Sequence, residues 1–356
     1  MSHVAAPPFA HSSGPRNAKI ALVGEAWGEQ EELVKKPFVG YSGQELTKML
    51  REAGIRRFDC FLTNVFALRP KDNQIESLCV PKAEAGPCAE LPDLGKKGKY
   101  LHPQYIPELL RLKTELDTVR PNIIIALGGT ATWALLNSSK IMSIRGAIAD
   151  SLLCPGIKVL PTYHPAGVLR NWAWRPIAIA DFLKAERESA FPQIIRRKRF
   201  VTWPDTIEEI TEWINRHNVL SPSCVLSVDI ETKLRQIEMI GFAPSPESAL
   251  VVPFIDASRA ENSYWPTLDM ERRAWRLVRD VLEGPATKVF QNGLYDLQYI
   301  LRAGIRPKAC GHDTMLLHHS LYPEMQKSLG FLGSIYSNEA SWKLFRVRGD
   351  ELKKDE

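Results

Sequence analysis

Residues 19–46 read KIALVGEAWGEQEELVKKPFVGYSGQEL, and the fold class turns on their opening. KIALVG, residues 19–24, is a short apolar run closed by glycine, the pattern of a buried parallel strand that stops abruptly. Glu25, Ala26, Trp27 and Gly28 follow at once. Parallel strands of an open α/β sheet meet their ligands at the carboxyl ends, so an acid placed directly after such a strand faces a crevice. Four acids, Glu25, Glu29, Glu31 and Glu32, crowd the turn before Pro37, Phe38, Val39 and Gly40, and SGQEL at 42–46 starts a helix. Phe38 is unusual for a loop, an aromatic ring made locally rigid by Pro37.

Outward from this stretch the α/β alternation continues. A helix is expected over about 43–53, then the β-rich run CFLTNVFAL (60–68), where Thr63 and Asn64 interrupt an apolar strand and so mark an edge or a site. Residues 70–104, dense in Pro, Lys, Gly and Glu, read as a long excursion in which KKGK (96–99) is a solvent- or phosphate-facing turn. A helix over about 107–119 precedes NIIIALGGTATWALL (122–136), a buried strand, a glycine turn and a helix start. KVLPTYHPAGVLRN (158–171) delivers His164 into a rigid His-Pro turn, with Arg170 on the helix beyond it. A lone histidine is more often a satisfied, half-buried side chain than a catalyst. If these strands are parallel neighbours, however, Glu25, Asn64 and His164 converge at one sheet edge.

A chain of 356 residues, 44% hydrophobic and 24% charged, supports two packed cores. No apolar run approaches a membrane span, and residues 1–17 lack the basic and apolar regions of a secretion signal, so they read as a flexible lead and the chain as cytoplasmic. The six cysteines include no C-x-x-C pair, which argues against a disulfide framework or a zinc module. Residues 1–198 carry 27 Lys and Arg against 19 Asp and Glu, whereas the remainder carries 19 against 22. The basic excess suits a domain that meets a polyanion, although a solvated surface gives the same count.

GEAWGEQEELVKKPFVGYSGQEL, LTNVFALRP and YHPAGVLRN resemble, in order and spacing over roughly 18–190, the three motifs of the uracil-DNA glycosylase superfamily, closest to its family 4. The resemblance implies a parallel-sheet, three-layer α/β/α fold, DNA containing uracil as partner, and base flipping followed by N-glycosidic hydrolysis. It further implies that Phe38 stacks on the extruded uracil, Asn64 hydrogen-bonds its amide-like edge, and His164 donates to O2 as a neutral imidazole. Glu25 is the preferred water-positioning group and Glu31 a second candidate. Gly24, Ala26 and Gly28 belong to the binding loop, the two glycines allowing backbone close to the base, and Leu169 and Arg170 press on the minor groove and a phosphate. Family 4 enzymes commonly hold a four-cysteine iron–sulfur cluster. Here no cysteine precedes Cys60 and Leu68 stands before Arg69-Pro70, so no cluster is expected; Trp27 also replaces a small residue or proline.

Beyond a basic hinge at 191–199 the character changes. A helix in WPDTIEEITEWINRHN (203–218), capped near Asp205 or Thr206, precedes the strand CVLSVDIETK (224–233), on which Asp229 and Glu231 point to one face. A hairpin-like pair of strands and a helix over about 268–283 follow. KVFQNGLYDLQYILRAGI (288–305) then places Asn292 and Asp296 four apart, on one helix face. The series resembles the 3′–5′ exonuclease domain of bacterial and phage family A DNA polymerases, a mixed-sheet ribonuclease H-like fold. The resemblance implies Asp229, Glu231 and Asp296 as ligands of Mg2+ or Mn2+, Asn292 as a DNA contact, Asp313 as a structural residue, and a DNA polymerase module as partner. The third motif, Y-x-x-x-D, is not found: Tyr336 is followed at that interval by Ala340, and Asp355 has no tyrosine four before it. Residues 200–356 therefore read as a truncated module, inactive or impaired. Two function classes stand: a uracil-DNA glycosylase fused to such a module, or a non-catalytic DNA-binding or polymerase-docking platform built from two degenerate enzyme domains.

Overall fold

The computed structural model describes residues 3–259 and 261–339. They form two compact units, one running to Ile195 and taking in residues 330–339, the other Arg196–Leu329. The break at Ile195 falls inside the basic stretch 191–199. The return of residues 330–339 to the first unit departs from the expected second domain.

In chain order the first unit contains β1 (Ile20–Gly24), α1 (Glu29–Val34), α2 (Tyr41–Glu52), β2 (Phe61–Asn64), β3 (Cys79–Val80), β4 (Tyr100–Leu101), α3 (Ile106–Val119), β5 (Ile123–Leu127), α4 (Gly128–Leu136), α5 (Ile141–Ile144), β6 (Ala149–Asp150), β7 (Lys158–Thr162), α6 (Pro165–Arg170) and α7 (Arg175–Glu188). The main sheet has the order β2-β1-β5-β7-β6. Its first three pairings are parallel and β6 is antiparallel to β7. Every residue of β1, β5 and β7 is buried, which is why β1 and β5 read as unbroken apolar runs, whereas β7 also buries Lys158, paired with Glu188 at 2.9 Å. One face, through Ala21, Val23, Ile124, Ala126 and Val159, packs on Leu112 and Leu116 of α3 and on Ala131 and Leu135 of α4. Alternate residues Leu22, Ile125 and Leu160 are buried on the opposite face. There α7 packs against β5 and β7, giving the three layers.

Residues 3–17 do not form a detached lead. Ser13 pairs antiparallel with Leu62 through bonds of 2.9 and 2.8 Å, so it flanks the edge strand β2. Phe9 meets Phe61 edge-on at 5.9 Å, and its N–H donates to Glu115 at 2.9 Å. His3 reaches Glu108 at 2.8 Å. This stretch offers few apolar residues to a periodicity test, and its anchoring comes from polar groups and one phenylalanine.

The second unit contains β8 (Phe200–Thr202), α8 (Ile207–Arg216), β9 (Val225–Lys233), β10 (Gln236–Ser245), β11 (Ser248–Pro253), α9 (Leu268–Glu283), β12 (Thr287–Phe290), α10 (Leu294–Arg302), β13 (Cys310–Asp313) and α11 (Thr314–Leu321). Helix α12 (Leu329–Tyr336) counts with the first unit from Gly330 onward. The sheet is mixed, ordered β13-β12-β9-β10-β11-β8, with β9, β10 and β11 antiparallel and β8, β12 and β13 joined by parallel pairings. Leu226, Val228 and Ile230 of β9 enter a core with Ile210 and Trp213 of α8 and Val278 of α9. The Thr206 hydroxyl caps α8 by accepting from the Glu209 N–H. Ala340 and Asp355, where a third carboxylate motif was sought, lie outside the described residues.

Candidate active site

Because β1, β2, β5 and β7 are parallel, the residues that follow them meet at one edge of the sheet. Glu25, Asn64, Gly128 and His164 line a single cavity of about 490 Å³, together with Ala26, Trp27, Gly28, Glu31, Phe38 and Arg170. Thus Glu25, Glu31, His164, Phe38, Asn64, Ala26, Gly28 and Arg170 are all brought together. Gly24 lies directly beneath, paired with Asn64 across β1 and β2. A Cβ on Gly24 would fall 2.3 Å from Asn64 Oδ1 and 2.5 Å from Phe38 Cζ. Glycine here therefore makes room for the site's own side chains.

The Phe38 loop is held in a costly conformation. Phe38 has φ of 57°, a left-handed backbone that a non-glycine residue keeps only when its surroundings impose it. Glu31 imposes it from one side, accepting the N–H groups of Val39 and Gly40 at 3.1 and 3.0 Å. From the other side Arg57 donates to the Phe38 carbonyl at 2.9 Å and to Gly43 O at 3.1 Å. Gly43 is needed there, since a Cβ would lie 1.9 Å from Phe38 O. The ring is buried, 6.4 Å from the His164 ring at an interplanar angle of 31°. Glu31, itself buried, is thus a backbone clamp for the aromatic loop.

His164 closes β7 and starts α6, where its Nδ1 accepts from the Ala166 N–H at 3.1 Å. With Nδ1 accepting, the proton of a neutral ring sits on Nε2. Burial, reinforced by the Arg170 charge and only partly opposed by Glu31, lowers its pKa from the ordinary 6.5 to about 4. The ring is a neutral donor throughout the physiological range. Glu25 behaves in the opposite sense: burial raises its carboxyl pKa, against a hydrogen bond from the Thr130 hydroxyl on α4 and the charge of Arg170. Thr130 fixes Glu25, a role the sequence does not signal, since GGTAT there reads as a glycine turn and a helix start.

Asn64 is buttressed from behind by a buried polar network. Arg111 donates to the carbonyls of Asn64 and Val65 at 2.6 and 3.0 Å, and to Glu108 and Glu115 at 3.0 and 2.9 Å. Thr63 donates to Glu115 at 2.7 Å, and the Ala67 N–H to Glu108 at 3.0 Å. Burial alone would raise the Glu108 carboxyl pKa, but the Ala67 N–H, Arg111 and His3 outweigh it and the pKa is lowered. The sequence signal was Thr63, a polar residue in an apolar strand. Trp27 is 5% exposed, turned against His11 at 4.8 Å with Lys35 4.9 Å over its ring. Its backbone N–H donates to Leu68 O at 3.0 Å, while the buried indole nitrogen makes no hydrogen bond among the described residues.

Residues 11–188 match the uracil DNA glycosylase superfamily. The chain is 34% identical over 177 residues to the type-4 uracil-DNA glycosylase of Thermotoga maritima, covering 49% of this chain and 79% of that protein. It is 33% identical over 177 residues to the type-4 enzyme of Archaeoglobus fulgidus, covering 48% and 77%. The chain belongs to the uracil-DNA glycosylase superfamily. Among solved structures it has a remote likeness to Escherichia coli RNase D (TM-score 0.30, 16% identity, 40% of this chain and 34% of that one) and to the EXD2 exonuclease domain soaked in Mn and GMP (TM-score 0.26, 17% identity, 38% and 68%).

The thiols of this glycosylase unit do not suit the four-cysteine cluster of family 4. Cys60 donates to Arg56 O, Cys79 to Ile75 O and Leu94 O, and Cys154 to Lys113 O. Burial pushes the pKa of Cys60 and Cys154 up to about 12 and that of Cys79 to about 11, so each is a protonated thiol in the metal-free chain. Among the described residues no three His, Cys, Asp or Glu side chains are grouped to hold a metal.

That last observation extends to the second unit. Asp229 and Glu231 do share the outward face of β9, alternating with the buried Val228 and Ile230. Asp229 has a raised pKa through burial and the neighbouring Glu231, and Asp296 is raised to about 6 by burial, with Asp229 and Asp313 adding to it. Yet Asp296 gives Oδ1 to the Ile230 N–H at 3.0 Å, and the three acids are not assembled as a ligand set. Asn292 is not on the helix face of Asp296. Helix α10 begins only at Leu294, and Asn292 precedes it with φ of 61°. Asp313 causes this, accepting from the N–H groups of Asn292, Gly293 and Met315 at 3.2, 2.7 and 2.8 Å, which is the structural role expected of it.

Proposed function

We propose that the first unit excises uracil from DNA by hydrolysing the N-glycosidic bond. The observation that carries the reading is the meeting of Phe38, Asn64, His164 and Glu25 in one cavity at the ends of parallel strands. The nucleotide leaves the stack, and Phe38 receives the base against its ring. The Asn64 amide accepts from N3–H and donates to O4, a pairing that cytosine cannot match. As the bond from C1′ to N1 breaks, its electron pair passes to the base and charge gathers on O2. The neutral Nε2–H of His164 donates to that oxygen. Water attacks C1′, and the Glu25 carboxylate holds it and takes its proton. The products are free uracil and an abasic site. Arg170, exposed at the rim, holds a phosphate. Glu31 and Gly24 shape the pocket and Ala26 and Gly28 wall it.

The second unit is, in this reading, an exonuclease-like module of impaired activity, with Asp229, Glu231 and Asp296 as the candidate ligands of Mg2+ or Mn2+ and Asn292 as a DNA contact. The motif resemblance points to a DNA polymerase as its partner and to work in the cytoplasm on the nucleoid, which co-purification with a polymerase would test. No helix among the described residues is long and apolar enough to cross a membrane. The non-catalytic platform is separated from the enzyme by one assay, release of free uracil from single- and double-stranded uracil-containing DNA. Release that falls sharply in Glu25→Gln supports the enzyme, and none from the intact chain refutes it.

A further inference from the structure

Helix α6 ends at Arg170, on the rim of the uracil cavity, and a single 3₁₀ turn, Trp172–Trp174, joins it to α7. The two tryptophans of that turn have opposite fates. Trp174 is packed inward, stacked on Tyr163 at 4.4 Å and 13°, and close enough to Gly167 that a Cβ there would lie 3.3 Å from its ring. Trp172 is 60% exposed. It is not loose, because the Arg175 guanidinium lies 5.0 Å from its ring centre. Arg175 is itself fixed to α2, donating to the buried Glu45 at 2.7 Å and to both oxygens of Glu52. Arg175 is thus spent on carboxylates and offers little charge to a phosphate. What it supplies is rigidity for the indole.

An exposed tryptophan held in place, two residues from a cationic rim and three from the 46%-exposed Leu169, has the chemistry of a stacking platform for an unpaired base. We propose that Trp172 stacks on a base flanking the extruded nucleotide, and so sets how tightly the enzyme holds DNA around its target. This inference rests on the glycosylase reading and adds a DNA contact outside the three motifs. Leu169 opens the stack, Arg170 fixes the backbone, and Trp172 takes the base that loses its neighbour. Trp172 touches no reacting atom, so it acts on binding and not on bond breaking.

The test uses the full chain and a fluorescent single-stranded oligonucleotide bearing a tetrahydrofuran abasic analogue, read by anisotropy. A second oligonucleotide lacks the bases on either side of the analogue. Trp172→Ala is expected to weaken binding of the first about tenfold, the size of one lost base–aromatic stack, and Trp172→Phe to restore most of it. Removing the flanking bases is expected to weaken the parent chain but to cost Trp172→Ala nothing further, the signature of a shared interaction. Uracil release at saturating DNA is expected to stay within twofold of the parent in Trp172→Ala, with KM raised. Binding by Trp172→Ala within twofold of the parent, or losses that simply add, would overturn the proposal. A parent chain that binds the analogue but releases no uracil would instead overturn the glycosylase reading.

Discussion

The two units both gather charged side chains at the end of a sheet, and they do so to different ends. In the first, three of the cavity's residues are held by fixed partners: Thr130 for Glu25, the Ala166 N–H for His164, and Arg111 on the backbone carbonyl of Asn64. In the second, burial and the neighbouring Glu231 raise the pKa of Asp229, and burial, with Asp229 and Asp313, raises that of Asp296 against a single backbone donor, the Ile230 N–H. A preorganised site holds its groups in their working protonation states before substrate arrives. A cluster of acids without that support is an unfavourable arrangement awaiting neutralisation.

The largest effect that can sharpen this contrast is at Arg111. Replacing it by methionine leaves Glu108 and Glu115 buried without their cation, and is expected to cost about 3–5 kcal/mol of stability. Denaturant unfolding of the full chain measures it. A loss under about 1 kcal/mol would mean that the network is not the support described.

Acid should move the two units in opposite directions. His164 has a folded pKa of about 4, below its ordinary 6.5, so its contribution is fully present above pH 6.5 and is lost as the pH falls through 4. The loss is at most about 3 kcal/mol. Asp296 has a folded pKa of about 6, above its ordinary 3.8, so its contribution is fully present below pH 3.8 and is lost as the pH rises through 6. Asp296→Asn is accordingly expected to stabilise the chain at pH 8 by about 1–2 kcal/mol, whereas His164→Asn flattens the acid limb. Unfolding of both variants from pH 4 to 8 checks this, and curves parallel to the parent's would break the comparison.

The smallest expected effect is that of a chelator. With the thiols protonated and tied to carbonyls, EDTA or a strong iron chelator should leave uracil release within twofold of the untreated rate. A chelator-dependent loss that iron restores would require a cluster and a rearrangement of Cys60, Cys79 and Cys154.

Much of the first unit was legible in its sequence, because strands buried on both faces read as apolar runs and their ends fall where glycine, asparagine and histidine interrupt them. The convergence of Glu25, Asn64 and His164 follows from that alone, whereas Phe38 is placed by the clamp of Glu31 and Arg57. What could not be read was support supplied from elsewhere in the chain. Glu108, Arg111 and Glu115 look like solvated positions of an amphipathic helix, and only the fold turns them toward β2. The polar lead hides its anchors, Phe9 and His3, in a stretch with no period. Asn292 was misplaced for a local reason, since a spacing of four was extended across a turn that Asp313 holds open. Residues 330–339 gave no sign that they pack with the first unit, where Lys184 donates to the carbonyls of Ser334 and Ser337.

A uracil-DNA glycosylase whose uracil anion is stabilised by a neutral His164 must release free base in a single turnover, measured on single-stranded DNA at pH 7.5. The parent chain should release free uracil, and His164→Ala and Asn64→Ala should each be slower by about 10²–10³-fold while unfolding cooperatively, the scale for losing one stabilising donor. Release from the parent that is unchanged in both variants would contradict the assigned site.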